Sequence, residues 1–256
     1  MNTSESLQYR TIRLALPDAS ELLDQDAEFC VVEQNGGWQE IRFHDYAKIY
    51  SIPGLYEKLF YGLMRCNSHR VVARALSNEL TRLGRSATSL RVLDLGAGNG
   101  MVGEELARLG ASKLVGADIL REAKLAAERD RPGVYDDYVV GDFTALDESL
   151  RSRLQREQFN CLTCVAALGF DDVSTRAFNE AVSLLMPGGI IAFNIKEEFL
   201  SPLDGSGFGG LLRDLVGARL VRPLRQRRYR HRFATNGEPL HYVLVIAEKV
   251  VPGALS

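Results

Sequence analysis

The stretch Val92-Leu93-Asp94-Leu95-Gly96-Ala97-Gly98-Asn99-Gly100 decides how the rest of this 256-residue chain is read. An apolar run ends in glycines at alternate positions and passes into a helical pattern that begins at Met101. Glycines let the backbone turn tightly and let a ligand approach without interference from a Cβ. In an open parallel sheet such a turn lies beyond the carboxyl ends of the strands, where ligands bind at the topological switch point. The turn alone is a weak signal: it suits a dinucleotide, or simply a helix packed close to its strand.

Downstream, short apolar strands alternate with amphipathic helices. Strands are expected at Leu90–Leu95, Lys113–Asp118, Tyr138–Gly141, Phe159–Val165 and Gly189–Ile195, and helices near Met101–Leu109, Arg121–Arg129, Leu146–Leu154 and Thr175–Leu185. That alternation means right-handed crossovers and a parallel sheet covered on both faces. The rhythm then breaks, because Gln226–Phe233 and Leu240–Lys249 are joined through Asn236-Gly237 with no helix between them. So short a connection makes these two strands antiparallel.

Upstream, residues 1–25 are polar and acidic and read as an arm or poorly ordered lead. Phe29–Phe43 holds two strand-like runs around Asn35-Gly36-Gly37, a hairpin signal, and Ser51-Ile52-Pro53-Gly54 reads as a turn. Leu55–Met64 and Ser68–Leu83 read as helices, the second with Ser68 as N-cap and Gly84 as its stop. The expectation is an α/β chain with a doubly wound, mostly parallel seven-stranded sheet ending in an antiparallel hairpin. An N-terminal arm, β-hairpin and helical lid occupy residues 1–88, and the core occupies residues 89–256.

Composition narrows the function. With 46% hydrophobic residues the chain can bury a full core, and a net charge of −2 does not suit a dedicated nucleic-acid binder. No apolar run approaches the roughly 20 residues needed to span a bilayer, and the N-terminus has no basic stretch followed by an apolar region. Four scattered cysteines suit a reduced, cytoplasmic protein rather than a disulfide scaffold. Cys161 and Cys164 form a C-x-x-C inside an apolar strand with no second Cys or His pair nearby, so they read as core and no metal site is expected.

Carboxylates give the glycine turn its context. Asp118 ends the second core strand, where a carboxylate can accept hydrogen bonds from both hydroxyls of a ribose. Asp142 follows the third strand, where it can receive an adenine amino group, with Phe143 packed beside the base. The bland alternatives are a loop cap for Asp94, a helix N-cap for Asp118 and a turn residue for Asp142.

The segments VLDLGAGNG, LVGADIL, VVGDF, FNCLTCVAALG and LLMPGGIIAFNIK resemble, in order and spacing, the motifs of class I S-adenosylmethionine-dependent methyltransferases, a Rossmann-like family. The likeness covers roughly residues 90–249 and is nearest to the small-molecule branch that includes ubiquinone, menaquinone and methyltransferase-like enzymes. It implies S-adenosylmethionine as cofactor, S-adenosylhomocysteine as product and a small-molecule acceptor. It also implies that Asp94 organises the loop and reaches the methionine amino group, directly or through water. Gly96, Ala97, Gly98 and Gly100 would meet the aminocarboxypropyl chain, Asp118 the ribose and Ile119 the adenine. Asp142 and Phe143 would recognise the base, and Val165 and Ala166 would line the transfer pocket. Upstream, His44-Asp45-Tyr46-Ala47-Lys48-Ile49-Tyr50 resembles the A-x-x-Y segment that covers the cofactor, with Tyr50 as the lid contact; the family often has Asp after this Tyr, and here Ser51 follows.

Methyl transfer from a sulfonium needs alignment, desolvation and sometimes a base, so neither a triad nor a metal is required. His44, Tyr46 and His231 are the candidate bases, each with a packing role as the alternative, and no catalytic residue is assigned. The Asn/Asp-Pro-Pro-Tyr/Phe motif of many amino-directed enzymes is missing from Val165-Ala166-Ala167-Leu168-Gly169-Phe170, which argues against base N6 or N4 methylation. Arg222, Arg225, Arg227, Arg228, Arg230 and Arg232 crowd the approach to the last hairpin. In a regular strand Arg228, Arg230 and Arg232 share a face, either an anion-binding stripe for an anionic acceptor or a charged edge that blocks aggregation. The alternatives to a small-molecule enzyme are an RNA or protein methyltransferase, a non-catalytic cofactor-binding protein and a nicotinamide dehydrogenase. Met101 disfavours the last by spoiling the G-x-G-x-x-G spacing. Nothing in the sequence sets the oligomeric state.

Overall fold

A computed structural model describes residues 12–170, 172–201, 203 and 205–250. Its main sheet has the order β6-β5-β4-β7-β8-β10-β9. The strands are β4 (Arg91–Leu95), β5 (Lys113–Asp118), β6 (Asp137–Val140), β7 (Cys161–Cys164), β8 (Ile190–Lys196), β9 (Val221–Phe233) and β10 (Pro239–Lys249). All neighbours from β6 to β8 are parallel, while β10 runs antiparallel to both β8 and β9. The seven strands, their mixed direction and the closing hairpin agree with the reading of the sequence.

Apolar faces set the layers. Helices α3 (Ser68–Arg82) and α4 (Met101–Arg108) cover one side of the sheet, where Val72, Leu76, Leu80 and Leu106 pack against Val92, Leu114, Leu244 and Ile246. On the other side α6 (Glu148–Arg156), α7 (Thr175–Ser183) and α8 (Phe208–Gly217) bury Leu154, Phe178 and Phe208 over Leu162, Ile191 and Phe193. Cys161 belongs to the first layer and Cys164 to the second, so the C-x-x-C sulfurs point to opposite faces of β7. Helix α5 (Arg121–Asp130) stacks its alanines 123, 126 and 127 beside Tyr50.

The N-terminal part forms a cap with its own core. Strands β1 (Leu14–Ala15), β2 (Phe29–Gln34) and β3 (Gly37–Arg42) make a small antiparallel sheet. Cys30, Val32, Ile41 and Phe43 from it pack on Ile49 of α1 (Tyr46–Ser51) and Leu59 of α2 (Glu57–Leu63). Helix α2 is wound wide: Met64 N reaches Leu59 O at 2.9 Å, five residues back.

Several expectations need correction. The expected arm is ordered from residue 12: Leu14 pairs with Val32, and Ile12, Leu14 and Leu16 turn alternately into the cap core, although residues 1–11 lie outside the described residues. Ser68 does not cap α3; Asn67 holds that position and the Ser68 hydroxyl points inward. Helix α8 was not anticipated, because its apolar positions 208, 211, 212 and 215 flank Gly209-Gly210, and β9 starts at Val221 rather than Gln226.

The arginine stripe is also overturned. The pairing between β9 and β10 shifts between Leu240 and His241, so one extra residue of β9 interrupts the alternation. Arg228 stays exposed, whereas Arg232 turns inward and pairs with the buried Glu28. Arg228 pairs with Glu197 at 2.7 Å and, of the others, Arg222 pairs with Glu248 at 2.5 Å and Arg225 with Glu79 at 3.3 Å.

Candidate active site

The carboxyl ends of β4 to β7 open into a cavity of about 500 Å³ that the cap roofs. Gly96 and Asp118 line it from the first two strands, Asp142 and Phe143 from the loop after β6, and Val165 and Ala166 from the end of β7. His44, Tyr46, Tyr50 and Tyr56 close it from the cap, and Asp172 and Val173 from the loop before α7. Of the residues expected at a cofactor site, Tyr50, Gly96, Asp118, Ile119, Asp142, Phe143, Val165 and Ala166 therefore share one cavity. Asp94, Ala97, Gly98 and Gly100 are not among its lining residues.

Asp118 is the most constrained of the lining groups. Gly98 N and Leu120 N each donate to one of its carboxylate oxygens at 3.0 Å. Burial nevertheless pushes its pKa up, against the lowering effect of those amides. A carboxylate held this way is oriented, and it gains from any hydroxyl that enters the cavity and donates to its remaining lone pairs. Asp142 differs: it is exposed, and two bonds of 2.7 Å from the Thr144 hydroxyl and amide lower its pKa.

Asp94 lies beneath the turn rather than in the cavity. Thr163 and Tyr135 each donate a hydroxyl bond of 2.6 Å to it. Desolvation outweighs both bonds and raises its pKa to about 6. The turn itself is closely packed. Gly96 has φ +69°, and a Cβ there would lie 2.6 Å from the Ala167 Cβ, while a Cβ on Gly98 would lie 2.3 Å from the Tyr50 hydroxyl. Tyr50 thus covers Gly98 from above, and Tyr138 donates to Gly98 O at 2.8 Å from the side. Within the turn, Asn99 Nδ2 donates to Glu57 on α2 at 3.1 Å; beyond it, Arg131 joins Glu57 at 2.7 Å and Glu104 at 3.0 Å. This clamp, with Arg129 donating to Tyr50 O at 3.1 Å, fastens the cap to the turn.

Three groups were not anticipated. Asn194, the one polar side chain in the interior of β8, accepts from Ala166 N at 2.6 Å and donates to Tyr229 Oη at 2.7 Å. It holds Ala166 at φ +58°, a backbone state that costs a non-glycine residue energy. A lone Asn inside Ile-Ile-Ala-Phe-Asn-Ile-Lys was visible in the sequence as a polar exception. Thr163 was equally visible on β7, but its bond to Asp94 was not. Asp172 sits 3.1 Å from His44 Nδ1, a contact across 128 residues that no local pattern signals.

The candidate bases separate clearly. His44 lines the cavity. Tyr46 lines it too, but burial, with Asp172 nearby, raises its pKa well above the usual phenol value and keeps it protonated. His231 is buried, with Nδ1 2.6 Å from Ser68 Oγ and its ring stacked on Tyr242 at 4.0 Å, and burial keeps it neutral.

Residues 92–189 match the family model described as a methyltransferase domain. The matched stretch runs from β4 to the turn before β8 and so contains the glycine turn, Asp118 and Asp142. A comparison with curated proteins finds no match. Among solved structures, the chain resembles magnesium protoporphyrin IX methyltransferase from Synechocystis PCC 6803 with bound S-adenosylmethionine. The two share 15% identity over 79% of this chain and 94% of that one, with a TM-score of 0.53. It also resembles an S-adenosylmethionine-dependent methyltransferase from Clostridium acetobutylicum, at 14% identity over 80% of this chain and 99% of that one, TM-score 0.52. At such identities these likenesses bear on the fold.

Proposed function

We propose that this protein moves the methyl group of S-adenosylmethionine to a small-molecule acceptor bound beneath the cap. The observation that carries this reading is the buried Asp118 carboxylate, set by two backbone amides in the wall of a roofed cavity of about 500 Å³. That volume is of the size small-molecule sites occupy. Asp118 accepts from the ribose hydroxyls, Ile119 and Phe143 flank the adenine, and Asp142 receives its amino group. Gly96 and Tyr50 bound the aminocarboxypropyl end. Asp94, Ala97, Gly98 and Gly100 act through the shape of the turn, Asp94 by tying it to Tyr135 and Thr163.

The cofactor supplies an electrophilic methyl group. The protein holds the acceptor in line with it and excludes water, which the cap over the cavity serves. A cap over residues 1–88 and a transferase core over residues 89–256 remains the division we favour. Four of the six β9 arginines, Arg222, Arg225, Arg228 and Arg232, are ion-paired, which lowers the positive charge an RNA acceptor would meet. Among the described residues no helix is long and apolar enough to cross a membrane, and the four cysteines are free and buried, which suits a reducing cytoplasm. Isothermal titration with S-adenosylmethionine and S-adenosylhomocysteine tests the reading: both should bind one to one, and binding of neither defeats it.

A further inference from the structure

The cavity carries a second pair of polar groups that cofactor binding leaves unused. His44, just before α1, and Asp172, in the loop between β7 and α7, meet at 3.1 Å through Nδ1 and Oδ2. The imidazole is held on other sides as well, tilted on Phe170 at 4.9 Å and edge-on to Tyr46 at 5.8 Å. A carboxylate at Nδ1 places the neutral ring's proton on that nitrogen and leaves Nε2 with its lone pair. Both residues also line a smaller inner chamber behind the cavity, whose back wall includes His231, Arg232 and Tyr242. There Gln25 donates to Tyr242 Oη at 2.8 Å, while its buried Oε1 has no hydrogen-bond partner among the described residues.

Charge and shape limit what the pair acts on. Asp45, Asp118, Asp142 and Asp172 line the cavity, and no Lys or Arg among the described residues does. A carboxylate or phosphate acceptor would meet four like charges there against the one sulfonium, and being ionised it would need no base. A protonated amine would bring a second positive charge up to the sulfonium. A neutral phenol suits the site better. At neutral pH it keeps its proton, with a pKa near ~10 like that of tyrosine. Its ring also matches the aromatic wall of Tyr46, Tyr50 and Tyr56, whose centroids lie 4.9–6.5 Å apart.

We propose that His44, oriented by Asp172, is the general base of the transfer and that the acceptor is a neutral aromatic hydroxyl compound. The proposal rests on the cofactor reading above. The phenol O–H bond breaks and its proton passes to His44 Nε2. The oxygen pair then forms the bond to the methyl carbon as that carbon's bond to sulfur breaks, its electron pair leaving with the sulfur. His44 afterwards returns the proton to water. The ionisable groups around His44 are Asp172, Asp45 and Tyr46 beside it, Asp118, Asp142, Tyr50 and Tyr56 in the cavity, Cys66, His231, Arg232 and Tyr242 along the inner chamber, and Lys196 over the Phe170 ring.

4-Nitrophenol is the probe, because its anion alone absorbs visible light. With the protein saturated in S-adenosylhomocysteine and the pH below the phenol's own pKa, the wild type should bind it and develop the anion band. His44→Gln should bind it within a few-fold but without the band. In Asp172→Asn the band should appear only at higher pH. No binding, no band in the wild type, or a band that persists in His44→Gln overturns the proposal. Turnover of catechol should exceed that of benzoate and benzylamine and fall at least ~100-fold in His44→Gln, the usual size of a general-base contribution. Preference for benzoate or benzylamine overturns the acceptor class. Calorimetry separates the two readings: failure of the wild type to bind S-adenosylhomocysteine defeats the cofactor reading, whereas normal binding with a failed nitrophenol test defeats this one alone.

Discussion

Asp94 and Asp118 stand on neighbouring strands of the same sheet, and burial acts on both while their partners differ. Asp118 is held by backbone amides at the cavity wall, so its loss removes a turn support and, on the proposed reading, the acceptor for the ribose hydroxyls. Asp118→Ala should weaken S-adenosylhomocysteine binding by about 1.5–3 kcal/mol, the scale of lost charge-assisted bonds, and calorimetry reads it directly. Asp94 bears on stability. Its pKa is about 6 in the folded chain against 3.8 for the free group, so between those values the folded state holds more protons than the unfolded one. Its contribution to stability therefore falls as pH rises from 4 to 6, by up to about 3 kcal/mol at 1.36 kcal/mol per unit. Denaturant unfolding at pH 4 and pH 7 should show Asp94→Asn gaining on the wild type at the higher pH by an amount of that order. Asp118 was legible in the sequence, because a carboxylate at a strand end after a glycine turn is a local pattern. The setting of Asp94 was not, since Tyr135 and Thr163 approach it from residues 41 and 69 positions away.

At the scale of elements, β8 and β9 teach opposite lessons. The apolar run of β8 announced a buried central strand, and its single Asn marked a structural bond. Asn194 uses both ends of its amide in a fully buried site, reaching Ala166, Tyr229 and Ser68. Asn194→Ala should cost about 2–4 kcal/mol in thermal unfolding, because it strands buried donors and acceptors and frees a backbone held in the left-handed region. Asn194→Asp should also destabilise, since a carboxylate cannot donate to Tyr229 or Ser68. In β9 strict alternation misled, because one inserted residue reverses the facing of all that follows and no residue type announces it. Helix α8 escaped notice for a related reason: two glycines diluted an otherwise regular apolar spacing.

Across the whole molecule, the cap and the sheet each bury their own core, and the contacts joining them include several polar ones. The most enclosed is the ion pair of Glu28 with Arg232, whose side chains are 1% and 4% exposed. Removing one partner leaves a buried charge, so Arg232→Met should cost about 3–5 kcal/mol. Adding Glu28→Gln in the same chain should recover much of that loss, and a double-mutant cycle by denaturant unfolding measures the coupling. These long-range joints were invisible in the sequence, which declared the parallel core and left the attachment of its cap unread.

The acidic lining of the cavity has a consequence for turnover. On the proposed reading the donor sulfur arrives positive and departs neutral, so the four aspartates lining the cavity attract the reactant and exert no such hold on the spent thioether. Each proposed transfer would thereby cancel the charge that recruited its own donor, and the exhausted donor would leave because that attraction is gone.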